Sequence, residues 1–341
     1  MVSRLPKRMR LPFRLVYSND YFLPIGAHVF PAQKYRMIHD RLLATGAAED
    51  DDFIPPKPAS DSDIRLVHEA GYVDRLLHGK LSVSEQMQME LPYSPALVKA
   101  FWLAAGGSIL AAERAIDDGV CVNIGGGFHH AHPDHGEGFC MIHDVAIAIR
   151  KMQKLGRIRR VMTVDCDVHH GNGTAAIFPP KHQVGGPLPS SSAAKSGSAT
   201  AAESASDSDD AVFTISLHQA NNYPAYKPPS SIDVNLPDGV DDEKYLGWLD
   251  QSLSSGLRSF SPDLLCYIAG ADPYHEDQLG GLSLTIDGLK QRDRLVFEVA
   301  KSRGIPVMVT YAGGYAHNVE DTVSIHVNTI LVAQEVWRNQ Q

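Results

Sequence analysis

Short apolar runs alternate with amphipathic stretches through most of this chain. Residues 120–124, 161–164, 212–217, 264–269 and 306–311 are apolar and rich in β-branched side chains, which reads as strands buried on both faces. Residues 143–154, 242–258, 286–303 and 322–337 fall between or after them with helical spacing. Upstream, 12–17 predicts a strand, and 33–44 a helix with Tyr35, Ile38, Leu42 and Leu43 on one side. The acidic, Pro-rich stretch 47–62 predicts a loop. Ile64, Leu66 and Val67 predict a second strand, and 72–77 a short helix. A long Ala-rich helix is expected over 94–116. The pair Gly106-Gly107 inside it weakens the helix and implies a close approach by another segment. Strands alternating with helices make this an α/β chain: one three-layer domain over 12–341, with a mostly parallel central sheet covered by helices on both faces. No internal repeat is visible.

Two segments fall outside that pattern. Residues 1–11 form a basic tail; Arg4, Lys7, Arg8, Arg10 and Arg14 stand near the start without an acid among them, a faint organelle-targeting signal broken by Pro6 and Pro12. Residues 183–210 are rich in Ser and Ala and end in an acidic run. They cannot bury a core and read as a disordered insertion, with Ser206 and Ser208 among acids as the basis for an alternative docking role.

At 341 residues and 43% hydrophobic, the chain has ample material for a stable core. A formal net charge of -9 leaves no overall footprint for direct nucleic-acid binding. Cys121, Cys140, Cys166 and Cys266 lie far apart in mostly apolar surroundings, the pattern of buried reduced thiols in a soluble intracellular protein. No apolar run approaches the roughly 20 residues of a membrane helix, so no membrane partner is expected.

The chemistry concentrates just after the apolar runs, where a parallel sheet places its active site. In 161–174, an apolar run leads into Asp165, Asp167 and His169 at every second position. In an extended chain these leave on one face, offering two carboxylates and an imidazole, a donor set for a divalent zinc-type ion. Gly171-Asn172-Gly173 then lets the chain turn. The run 120–124 ends in Gly125-Gly126-Gly127-Phe128-His129-His130, the run 264–269 leads to Asp272, and the run 306–311 leads to Gly313-Gly314-Tyr315.

Together with Gly138-Phe139-Cys140 and Ser216-Leu217-His218, these motifs resemble, in order and over about three hundred residues, the zinc-dependent histone deacetylase family of the arginase/deacetylase superfamily. Asn222-Tyr223-Pro224 and residues 233–239 resemble its class IV and bacterial deacetylase-like branch. The resemblance implies a zinc-dependent amidohydrolase that removes acyl groups from lysine side chains of histones or other proteins, in the nucleus or cytoplasm. Asp167, His169 and Asp272 resemble the zinc ligands. His129 and His130 resemble the paired active-site histidines, backed by Asp165 and Asn172 respectively, and Tyr315 the tyrosine that donates to the substrate carbonyl. Gly138 and Phe139 resemble one wall of the substrate tunnel, with Tyr223 as a candidate for the other; His28 is a candidate for its mouth. The carbonyls of Asp165, Asp167, His169 and Leu217 and the Ser216 hydroxyl resemble a structural potassium site. Many family members carry Asp where this chain has Asn172, and an amide makes His130 less basic than a carboxylate would.

Three other functions compete. A deacetylase of small molecules such as acetylpolyamines would use the same residues. An acyl-lysine-binding scaffold would not need the full set. An arginase-like dimanganese site would want more carboxylates. His132, His135, His143, His218 and His275 read as rim or core histidines without an assigned role.

Overall fold

Helices start in this protein where the chain supplies its own cap. Ser60, Ser82, Ser94, Asp241 and Thr285 each accept a hydrogen bond from a backbone N–H of the first helical turn. The computed structural model describes residues 10–181, 183–185 and 211–338. Its helices are α1 (Lys34–Ala44), α2 (Asp61–Ile64), α3 (Ala70–Leu77), α4 (Val83–Met89), α5 (Pro95–Asp118), α6 (Asp144–Lys154), α7 (Asn172–Ile177), α8 (Asp242–Ser259), α9 (Ile286–Ser302) and α10 (Val319–Arg338). The strands are β1 (Leu15–Val16), β2 (Phe53–Ile54), β3 (Val120–Asn123), β4 (Val161–Asp165), β5 (Val212–Gln219), β6 (Ile232–Leu236), β7 (Leu264–Ile268) and β8 (Val307–Thr310).

The strands form one 8-stranded sheet in the order β2-β1-β3-β8-β7-β4-β5-β6. Every neighbouring pair is parallel. Successive residues along a strand enter opposite cores. Cys121, Leu264 and Met308 pack with α6 and the end of α5, whereas Val122, Leu265 and Val309 pack with α8, α9 and α10. The expected three-layer α/β architecture is therefore present, and every central strand ends on the same edge of the sheet.

The expectations that fail do so in the N-terminal third and at short elements. The strand expected at Ile64, Leu66 and Val67 is the end of α2 and the turn after it. A reciprocal Ser60–Asp63 capping box nucleates helix there, and Lys151 pairs with Asp63. The loop expected over 47–62 carries edge strand β2. Helix α4, capped by Ser82 and Glu85, and strand β6 were not anticipated. Within 183–210, Val184 donates to the carbonyl of Ser231 at 2.8 Å. Residues 186–210 and 1–9 lie outside the described residues.

Helix α5 corrects a further expectation. It is long and apolar enough to cross a membrane by length and composition, but 72% of its most apolar window is buried in the fold. Its apolar surface is used as core. The glycine pair explains how it packs so closely: a Cβ on Gly106 would lie 1.8 Å from the carbonyl oxygen of Lys57, and one on Gly107 1.9 Å from the Tyr21 hydroxyl. Gly106→Ala is expected to lower the unfolding free energy by about 3 kcal/mol, the upper part of the usual overpacking range. Gly247→Ala in α8, with open space around it, is expected to raise it by up to ~1 kcal/mol. Urea denaturation midpoints check both signs.

Candidate active site and metal centre

The register of the sheet sets the site. Asp165 at the tip of β4 pairs with Ser216 of β5 on one side and Ile268 of β7 on the other, and Ile268 pairs with Thr310 of β8. The segments leaving β4, β7 and β8 therefore emerge side by side. Strand β4 ends at Asp165, so the alternation read from the sequence does not continue to His169. Instead of joining a common face with Asp167 and His169, Asp165 turns its Oδ2 to His129 Nδ1 at 2.7 Å.

The cluster is completed from β7. One ligand atom each of Asp167, His169 and Asp272 lies within 4.8 Å of the others, and all three residues are buried. The backbone aims them. Asp167 Oδ1 accepts from His169 N at 2.9 Å and Oδ2 from Gly313 N at 2.8 Å; Asp272 Oδ1 accepts from Val168 N at 2.8 Å. Gly313 lies so close that a Cβ there would sit 2.0 Å from Asp272 Oδ2. That Oδ2 is buried without a hydrogen-bond partner. Two carboxylates, an imidazole and an orphaned oxygen suit a divalent cation bound by oxygen and nitrogen. Burial, then the charge of Asp167, pushes the Asp272 carboxyl above its usual range.

The histidine pair sits beside this cluster with ring centroids 4.0 Å apart. Burial opposes charge on His129, but the charges of Asp165 and Asp167 outweigh it and push its pKa up to about 9. His130 Nδ1 faces Asn172 Oδ1 at 2.6 Å. Burial, then the charges of His129 and His169, holds His130 well below the usual histidine range. The two rings are thus separated into a cation and a neutral base.

Tyr315 follows β8, its ring 6.4 Å from that of His169, and Asp277 accepts its backbone N–H at 2.6 Å. Burial, then the charges of Asp167 and Asp272, raises its pKa far above neutrality, so the hydroxyl keeps its proton. His129, His130, Gly138, Phe139, Asp167, His169 and Tyr315 line one narrow cavity of about 20 Å³. His28 meets the edge of Phe139 at 4.8 Å. Tyr223 does not line that cavity; it stands edge-on to His130 at 5.0 Å and donates its hydroxyl to Glu137 at 2.8 Å. Ser216 and Leu217 are buried in β5, with Ser216 Oγ 3.0 Å from His218 Nδ1. The four cysteines are buried and unpaired.

Three contributors were missed. Lys34 is fully buried and donates to the carbonyl of Ala312 at 2.6 Å. Burial lowers its pKa to about 8, against the opposing charges of Asp272, Asp167 and Asp277. Asp277 closes its own turn by accepting from Leu279 N and Gly280 N and ties it to Tyr315 N, and Glu137 anchors Asn172. Glu137 had a visible signal, since it closes the sequence His132-Pro-Asp-His135-Gly-Glu137; Lys34, far upstream, had none.

A parallel sheet with carboxylates and histidines gathered beyond its carboxyl edge is the arrangement of the arginase/deacetylase superfamily. Residues 28–330 match the histone deacetylase domain, and the chain belongs to the histone deacetylase family. It is 37% identical over 326 residues to an uncharacterized protein of Picosynechococcus, covering 95% of this chain and 99% of that one. It is 30% identical over 314 residues to histone deacetylase 2 of Arabidopsis thaliana, covering 88% of this chain and 74% of the relative. The fold superposes on a histone deacetylase homologue from Aquifex aeolicus with a TM-score of 0.73 at 22% identity, covering 94% of this chain and 83% of the other. It also superposes on an acetylpolyamine aminohydrolase from Burkholderia pseudomallei with a TM-score of 0.69 at 18% identity, covering 94% and 98%.

The packed carboxylates make a stability test. Metal-free Asp272→Asn protein is expected to melt several degrees above the metal-free parent at neutral pH, because the amide removes a buried like charge. Calorimetry with a chelator present checks this, and an equal or lower Tm would contradict it.

Proposed function

We propose that this protein hydrolyses the amide of acylated lysine side chains in proteins, using a zinc-type ion held by Asp167, His169 and Asp272. The observation that carries the reading is the buried cluster of these three at a narrow cavity that Tyr315, His129 and His130 also line. When bound, the ion supplies Lewis-acid polarisation of the amide carbonyl and lowers the pKa of a water toward ~7.

The chain's own residues supply the rest. His130, neutral and with Nδ1 directed to Asn172, presents Nε2 to take the water proton and return it to the departing amine nitrogen. His129, kept cationic by Asp165, favours the negative charge that grows on the substrate oxygen. The Tyr315 hydroxyl donates to that same oxygen. Phe139, held by a positive φ of 65° after Gly138, packs along the aliphatic stem. Asp165, Asp167, His169, Ser216 and Leu217 form the companion potassium site of this reading. The motif at Asn222-Tyr223-Pro224 supports the class IV and bacterial-like branch. Substrates of this kind are the histones and other acylated proteins of the nucleus and cytoplasm.

Small acylated amines are the second reading, favoured by the shared fold with the acetylpolyamine aminohydrolase. Purified protein should be assayed against lysine peptides carrying acetyl through myristoyl groups and against acetylpolyamines, with and without chelator. Turnover of the peptides, abolished by the chelator, is the expected result; turnover of polyamines alone selects the second reading.

Tyr315→Phe is expected to lower kcat by about 10²-fold or more with metal content unchanged, measured by steady-state kinetics and metal analysis. Asp167→Ala is expected to lose both metal and activity. A zinc-loaded, active Asp167→Ala protein would refute the assigned ligand set.

A further inference from the structure

The loop that follows the histidine pair carries a second group of potential ligands. His132, His135 and Glu137 each place one ligand atom within 4.8 Å of the other two. Both histidine Nε2 atoms converge on the same carboxylate oxygen, Glu137 Oε2, from 3.7 Å for His132 and 3.3 Å for His135. Metal–ligand bonds of about 2.0–2.2 Å in tetrahedral geometry separate their donors by roughly 3.4 Å. The observed spacings are close to that edge length.

The loop is built to hold this arrangement. His132 N donates to the carbonyl of His135 at 2.9 Å, closing the turn, and Glu137 and Cys140 exchange backbone hydrogen bonds. The two imidazoles stack with centroids 4.5 Å apart and ring planes 11° from parallel. His135 Nδ1 lies 2.7 Å from Asp134 Oδ1. A carboxylate on the far nitrogen is the usual support of a metal-bound histidine, fixing its tautomer so that Nε2 carries the lone pair. The three side chains are 19%, 23% and 15% exposed, which leaves an approach from solvent.

We propose that His132, His135 and Glu137 form a second divalent-cation site, of the zinc class, at the rim of the active site and separate from the Asp167–His169–Asp272 cluster. Nitrogen–nitrogen–oxygen donors select zinc over magnesium or calcium, which take oxygen. The site is joined to the proposed chemistry through one residue. Asn172 Nδ2 lies 3.2 Å from His132 Nε2 and donates to Glu137 Oε1 at 2.8 Å, while its Oδ1 faces His130. An ion on His132 and Glu137 competes with that amide for the His132 lone pair and draws charge from the carboxylate anchoring Asn172. Rim occupancy therefore slows turnover. This effect rests on the hydrolase reading; the binding does not.

The test is metal stoichiometry on the full-length protein. Zinc is titrated in and counted by calorimetry and elemental analysis for the parent, His135→Gln and Asp272→Asn. Two equivalents in the parent are expected. His135→Gln keeps only the central one and Asp272→Asn only the rim one, with melting curves confirming that each variant is folded. Asp134→Asn, which keeps both rings, should weaken the rim equivalent about 10-fold or more. A single equivalent in the parent, or a second that survives His135→Gln, overturns the site and leaves His135 as a cation bridging Asp134 and Glu137. Excess zinc should slow parent turnover several-fold and spare His135→Gln; equal slowing of both places the inhibition at the central cluster and removes the coupling. Absence of turnover in both, with two equivalents bound, removes the hydrolase reading and keeps the site.

Discussion

The structure depends on holding two carboxylates and an imidazole together where water is excluded. Asp167 and Asp272 arrive from adjacent strands β4 and β7, and each is 1% exposed or less. Their repulsion is offset in part by backbone N–H groups of Val168, His169 and Gly313. It is also offset by a proton on His169: burial opposes that charge, but the contact with Asp167 and the nearby carboxylate of Asp272, 3.3 Å away, raise the pKa to about 10. A cation bound here would displace that proton, so affinity should be set as much by what the cluster gives up as by what it gains. The rest of the fold keeps the strand tips from relaxing apart. Arg292, fully buried, donates to the carbonyl of Gly270 at 2.6 Å and pairs with Asp293, which also accepts from Tyr267 and Thr329. That network lies beneath both ligand-bearing tips.

Close backbone approach serves the same end. Gly270 and Gly313 press against Asp167 and Asp272 so tightly that a side chain at either position would overlap a carboxylate. Asp144 accepts from Gly127 and Phe128 and so fixes the turn that delivers the histidine pair. The central strands pack apolar side chains on both faces, and only their carboxyl ends are polar. A rigid sheet with chemistry confined to its edge explains how residues separated by more than a hundred positions are held to hydrogen-bond precision.

How much of this was legible follows from what periodicity encodes. The strands β3, β4, β5, β7 and β8 are buried on both sides, so each reads as a largely apolar run without a polar face. The placement of every candidate after such a run followed from topology. Alternation failed at the end of β4, because a strand's period says nothing once the strand stops; Asp165 therefore faced His129 and not the ligand cluster. The misread at Ile64, Leu66 and Val67 arose because an apolar triplet is common to a strand and a helix end, and the Ser60–Asp63 box decided between them. The close approach at Gly106-Gly107 was legible, because two glycines inside a helix cost stability unless something packs there; the partners, Lys57 and Tyr21, were not. Lys34 and Asp277 were invisible because neither belongs to a local pattern. Their roles come only from three-dimensional proximity.

Asn172 shows how a local departure is absorbed by its surroundings. An amide can face His130 with either its oxygen or its nitrogen, and the two choices impose opposite tautomers on the ring. Glu137 is ionised: despite burial, hydrogen bonds from His135, Tyr223 and Asn172 lower its pKa to about 2. As a carboxylate it can only accept, so Asn172 must turn its NH₂ toward Glu137 and its oxygen toward His130. His130 then carries its proton on Nδ1 and leaves Nε2 bare toward the cavity. The negative charge that an aspartate would have placed against the ring sits one group further out, on Glu137. His130 keeps the tautomer such a partner would enforce without the added basicity. That combination, a correctly turned but weakly basic imidazole beside a cationic one, is what lets two adjacent histidines do different work.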